Sequence, residues 1–187
     1  MMSEKIISSC YEQARQCIAS HPSIARLLQA LASRGCPWNF DRHFICELND
    51  GETRRGGFDH STCQIVLFPE NLHSSREFCT ILHHELIHAY DYCRAQIDFA
   101  NLSHLACTEI RAASLSNQCS LFHHFSSSSR PYLLKNQHRT CVKTRARESM
   151  EICTNLRRTV LDQIINDVFL RCYNDIDPYN DFSRREH

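Results

Sequence analysis

One stretch constrains this chain more than any other: Phe78–Arg94, which reads F-C-T-I-L-H-H-E-L-I-H-A-Y-D-Y-C-R. It contains H-E-x-x-H as His84, Glu85 and His88. On a helix, residues four apart stand one above the other on the same face. His84 and His88 can therefore turn two imidazoles toward one metal ion, with Glu85 at the edge of that face. Two ligands and a neighbouring carboxylate that can accept a proton from water are what a zinc-dependent hydrolase needs. The stretch must then be a helix, and its surroundings predict one. Ser74 followed by Glu77 has the form of a capping box, so a helix starts there and runs through the motif. Ile81, His84, Glu85 and His88 fall along one side of it. Phe78, Leu82, Leu86 and Ala89 fall along another that can pack inward. His83 lies about 100° round from His84 and faces away from the metal.

The rest of the chain supplies a scaffold for that helix. Ser3–Leu31 carries apolar residues at helical spacing, with Pro22 dividing it or opening a second helix, and Gly35-Cys36-Pro37 ends it. Phe40–Leu48 reads as a short strand, followed by an Asn49-Asp50-Gly51 turn. Gly56-Gly57-Phe58-Asp59 reads as a second turn, and Thr62–Phe68 as a second strand ended by Pro69. Two strands just before a metal helix match the plan of zincin-type proteases, where a small sheet packs on the active-site helix and its edge can accept an extended substrate. After a short connection at Asp98–Ser103, a helix is expected over roughly His104–Phe122, with Ala112, Ala113 and Ser114 permitting close helix packing. Phe125–Arg130 reads as a polar, mobile loop. A basic helical piece follows through Cys141 to Cys153. A last amphipathic helix, Leu156–Cys172, shows Val160, Leu161, Ile164, Ile165, Val168 and Phe169 as its stripe. The expected fold class is α+β, zincin-like, mostly helical, with a small antiparallel sheet on the H-E-x-x-H helix. The expected division is a helical segment over 1–34, a metalloprotease domain over 35–175, and a polar, frayed tail beyond.

A catalytic zinc centre usually takes three protein ligands. Glu109, on the helix after the motif, is the first candidate for the third. Asp91, three residues past His88, reads better as a partner that orients an imidazole. His104 reaches only if the connection folds back. An alternative for Glu109 is an ion pair with Arg94 or another nearby base.

Formal net charge is zero over 187 residues, so no nucleic-acid partner is expected. No run of apolar residues is long enough to span a membrane. Met1–Cys17 has neither a secretory core nor the Arg-rich character of a transit peptide, so no cleaved address is expected. Twelve cysteines are far above ordinary usage, and none stand as C-x-x-C. Their even number suits disulfides in an oxidising compartment, the alternative being reduced cysteines packed as small core residues. Cys79 and Cys93 lie about 21 Å apart along one helix and cannot pair with each other. Cys93 with Cys107, and Cys36 with Cys46, are candidate pairs.

Several stretches together resemble the family of mitochondrial inner-membrane metalloproteases that mature and assemble subunit a of ATP synthase, one of whose members is also called a Ku-binding protein. They are D-R-H-F-I-C at Asp41–Cys46, G-G-F-D at Gly56–Asp59, H-E-L-I-H-A-Y-D-Y-C-R-A at His84–Ala95, and H-L-A-C-T-E-I-R-A-A at His104–Ala113. C-V-x-x-R-A at Cys141–Ala146 and V-F-x-x-C-Y-N-D-x-x-P at Val168–Pro178 complete them, in order. The resemblance implies a zinc metalloendopeptidase of the intermembrane space, peripheral to the inner membrane, with oxidised cysteines and ATP synthase subunit a as its partner. It implies Glu85 as the catalytic residue and His84 and His88 as metal ligands. It also implies an alternative role, an assembly chaperone that does not need proteolysis. Neutral charge and abundant cysteine count against a nuclear DNA-repair role.

Overall fold

A computed structural model describes residues 2–49, 51, 53–95, 97–119 and 131–180, excepting the side chains of 2 and 131–135. The chain divides into two compact units, 1–96 and 97–187.

The first unit is built around the metal helix. Helices α1 (Met2–Ser20) and α2 (Pro22–Ser33) break at His21, with Pro22 at the first turn of α2 as its missing N–H allows. Residues 40–48 do not form one strand. Asn39 caps a short helix, α3 (Phe40–His43), by accepting from the Arg42 amide at 3.1 Å, and only Phe44–Cys46 is extended, as β1. The G-G-F-D stretch is not a turn but a strand, β2 (Gly56–Asp59), antiparallel to β3 (Gln64–Leu67). The sheet has the order β1-β3-β2 and β1 runs parallel to β3, so it is mixed rather than antiparallel. Gly56 lets β2 pack tightly, since a Cβ there would stand 2.5 Å from Leu67 Cδ2 and 3.2 Å from Ile81 Cγ2. Only glycine lets this strand lie so close to its neighbours. Once β2 takes one side of β3, β1 is left the other. The β2–β3 turn is held by Asp59, whose carboxylate accepts from the Ser61 amide, the Ser61 hydroxyl and the Thr62 hydroxyl at 2.7–2.8 Å. These bonds pull the Asp59 pKa down to about 2.

Helix α4 (Ser75–Arg94) begins as its capping signal requires: Ser74 Oγ accepts from the Glu77 amide at 3.1 Å. The Glu77 carboxylate accepts from the His73 amide at 3.0 Å. Almost every residue from Phe78 to Asp91 is buried, because α1, α2, β2 and β3 all pack on this helix. Two disulfides hold its ends, Cys17–Cys79 near the start and Cys36–Cys93 near the finish. A third, Cys10–Cys46, ties α1 to β1.

Among the described residues, the second unit has three helices. Asn101 accepts from the amides of Ser103 and His104, so α5 (Leu102–Leu115) starts earlier than its apolar pattern suggested. It stops at Leu115, well short of residue 122, where Asn117 takes a left-handed φ of +64° just past the cap. Residues 120–130, which include the serine loop read from the sequence, fall outside the described residues. Helices α6 (Pro131–Cys153) and α7 (Arg158–Tyr173) pack with α5 around Ile110, Val142, Met150, Leu161, Ile165 and Phe169. Ala106 and Ala113, seven apart on α5, bring its backbone close to that core. Disulfides Cys107–Cys172 and Cys119–Cys141 lock the unit. The expected pairs Cys93–Cys107 and Cys36–Cys46 are therefore both replaced: Cys36 meets Cys93, and Cys46 and Cys107 each join a partner inside their own unit. The segment after Asn174 is not frayed where it is described. Arg111, 1% exposed, donates to the Asp175 carbonyl and, at 2.5 Å, to the Asp177 carbonyl, and pairs with the Asp175 carboxylate at 2.7 Å.

Candidate metal centre

On α4 the H-E-x-x-H spacing brings two imidazoles together. His84 Nε2 and His88 Nε2 stand 3.1 Å apart, with ring centroids 4.7 Å apart and planes at 78°. Two nitrogens each 2.0–2.1 Å from a tetrahedral ion would be separated by about 3.3 Å. The pair therefore fits one divalent metal without rearrangement. Both imidazoles and Glu85 are buried, at 4%, 5% and 7% exposure. Such burial keeps bulk water from competing with a bound ion and strengthens any charge placed there.

His83 is buried on another side of α4, and burial, then the charges of His21 and His84, hold its pKa down to about 3. It is a neutral imidazole at any working pH. Asp91 is fully buried and accepts from Arg94 Nε at 2.9 Å, so it engages the guanidinium one turn on. Asp91 is thus a carboxylate partner of Arg94 on its own helix. Glu109, in the second unit, is 5% exposed on α5. His104 is exposed at the start of α5, and its Nδ1 accepts from the Asp98 amide at 3.2 Å. The residue that sequence reasoning missed is Arg111. Its signal was available: a lone cation among small and apolar residues two places past Glu109, with two aspartates waiting at 175 and 177.

A family model for the peptidase M76 family matches residues 8–180. The chain belongs to the peptidase M76 family. It is 41% identical over 176 residues to a protein of Homo sapiens named mitochondrial inner membrane protease ATP23 homolog, covering 91% of this chain and 68% of that protein. A Danio rerio protein of the same name is 44% identical over 159 residues, covering 84% of this chain and 61% of its own length. In Kluyveromyces lactis, mitochondrial inner membrane protease ATP23 is 28% identical over 194 residues, covering 98% and 78%. The chain thus spans between three fifths and four fifths of these relatives. No solved structure matches it. Paired imidazoles with a carboxylate beside them are a donor set that can hold a divalent metal and accept a proton from water.

Proposed function

We propose that this M76 chain is a zinc-dependent endopeptidase of the mitochondrial inner membrane, working from the intermembrane space with ATP synthase subunit a as its substrate class. The observation that carries the reading is the 3.1 Å separation of two buried Nε2 atoms on an H-E-x-x-H helix. The address follows the names of the relatives. Among the described residues, no helix is long and apolar enough to cross a membrane, which suits attachment at the membrane's surface. Five disulfides suit an oxidising compartment.

His84 and His88 hold the ion, and Glu109 is the third ligand. Glu109 is favoured because a buried carboxylate calls for a cation or donors, whereas Asp91 engages Arg94 and His104 is exposed. The bound ion supplies Lewis-acid polarisation of the scissile carbonyl. Glu85 is the general base: a carboxylate oxygen takes a proton from the attacking water and returns it to the leaving amine nitrogen. Asp91, held by Arg94 Nε at 2.9 Å, is the carboxylate proposed to orient an imidazole of the motif.

The test is to introduce the Glu85→Gln protein into isolated mitochondria as a trap and identify what it retains. Subunit a is expected in the captured material. Its absence, with other polypeptides captured instead, would overturn the substrate assignment. Restored ATP synthase assembly by this variant in cells lacking the normal protein would favour the chaperone role.

A further inference from the structure

The face of α4 that carries Glu85 and His88 continues beyond the motif. Tyr92 is seven residues past Glu85 and four past His88, so it stands on that same face, about 10 Å along the axis from Glu85. Where the residues from Phe78 to Asp91 are nearly all buried, Tyr92 is 37% exposed. Two aromatic side chains from the β2 region meet it. Phe58 approaches with ring centroids 5.9 Å apart at 58°, and His60 at 6.0 Å and 41°. Phe58 is half-buried and His60 exposed. The neighbouring Asp59 carboxylate is turned into the β2–β3 turn by Ser61 and Thr62.

Phe58 also sits on a strand at one margin of the sheet, since the order is β1-β3-β2. A marginal strand can offer its backbone groups to an extended peptide. An extended peptide advances about 3.3 Å per residue, so 10 Å along α4 corresponds to about three residues from the bond being cut. Rings that meet at an angle present both edges and faces to a guest, and such contacts are directional.

From this placement we infer that Tyr92, Phe58 and His60 form a substrate subsite selecting a large apolar or aromatic side chain about three residues from the scissile bond. The inference rests on the peptidase reading of α4 and adds to it a determinant of sequence preference. Tyr92 supplies most of the selectivity because it is the most accessible ring on the catalytic face. Phe58 backs it and fixes its tilt.

The experiment is digestion of a randomised peptide library by the zinc-loaded protein, with cleavage sites read by mass spectrometry. Large apolar or aromatic residues should be enriched at one position about three residues from the cut. Tyr92→Ala should lower kcat/KM for such peptides about ten-fold, mainly through KM, and erase the enrichment. Tyr92→Phe should restore it. A Tyr92→Ala protein that cleaves with an unchanged preference would overturn the subsite and leave the peptidase reading intact. A wild-type protein that holds zinc and cuts nothing would contradict the peptidase reading. Fluorescence anisotropy of Phe- and Ala-bearing peptides on Glu85→Gln, with and without Tyr92→Ala, then decides the subsite by itself. Loss of the Phe preference supports it, and retention overturns it.

Discussion

Glu109 is the proposed metal ligand that the H-E-x-x-H motif specifies least. His84 and His88 already present their Nε2 atoms at 3.1 Å. A third anionic ligand raises affinity and neutralises part of the ion's charge. Glu109→Ala should therefore leave the protein folded but lower its zinc affinity by at least ten-fold, as titration against a competing chelator would show. A variant with unchanged affinity would remove Glu109 from the ligand set. A second prediction concerns His138, whose Nδ1 lies 2.8 Å from the Tyr173 hydroxyl. Burial lowers its pKa below the ordinary imidazole value, so the unfolded chain binds the proton more readily than the folded one. Its contribution to stability is full above about pH 6.5 and is lost as the pH falls below that value. Urea unfolding of His138→Gln between pH 7 and 5 should show a shallower loss of stability than wild type; equal slopes would count against this.

At the scale of elements, α4 owes its position to the strands beneath it and the disulfides beside it. Gly56→Ala would force a methyl group to within 2.5 Å of Leu67 Cδ2 and 3.2 Å of Ile81 Cγ2. We expect a loss of about 1–3 kcal/mol, measurable by denaturant titration, and an unchanged midpoint would mean that β2 can withdraw from α4. Gly56 also shows why part of the fold could not be read from the chain. Two adjacent glycines look like a turn until the neighbours that exclude a Cβ are known. Phe40–His43 misled in the opposite sense, since the β preference of Phe40 was overridden by the Asn39 cap. The helices were legible because their signals are local: Ser74 with Glu77, Pro22 after His21, and the stripe from Leu161 to Phe169. The two imidazoles were legible for the same reason, both lying within one turn of α4. Disulfide partners were not, because Cys36 and Cys93 are 57 residues apart and pairing depends on where helices dock.

At the scale of the molecule, each unit is stapled within itself, three disulfides in the first and two in the second. Closing loops of about 60 residues, as Cys17–Cys79 does, stabilises by about 4 kcal/mol in the chain-entropy view. The second unit adds a buried cation, Arg111, that gathers residues 175–177 onto α5. Losing this charged donor removes the hydrogen bonds to the Asp175 and Asp177 carbonyls, each worth about 1.5–3 kcal/mol. Arg111→Leu should consequently release the segment after Asn174, seen as faster proteolysis there, and resistance equal to wild type would show that the clamp is dispensable. The central claim is that α4 binds a metal through two histidines and uses Glu85 to move the proton. Metal content and peptide turnover, measured together on the purified Glu85→Gln protein, test it most directly. The account predicts one bound zinc, as in wild type, with turnover reduced by about 10²- to 10⁴-fold. Turnover at the wild-type rate with zinc bound would contradict it.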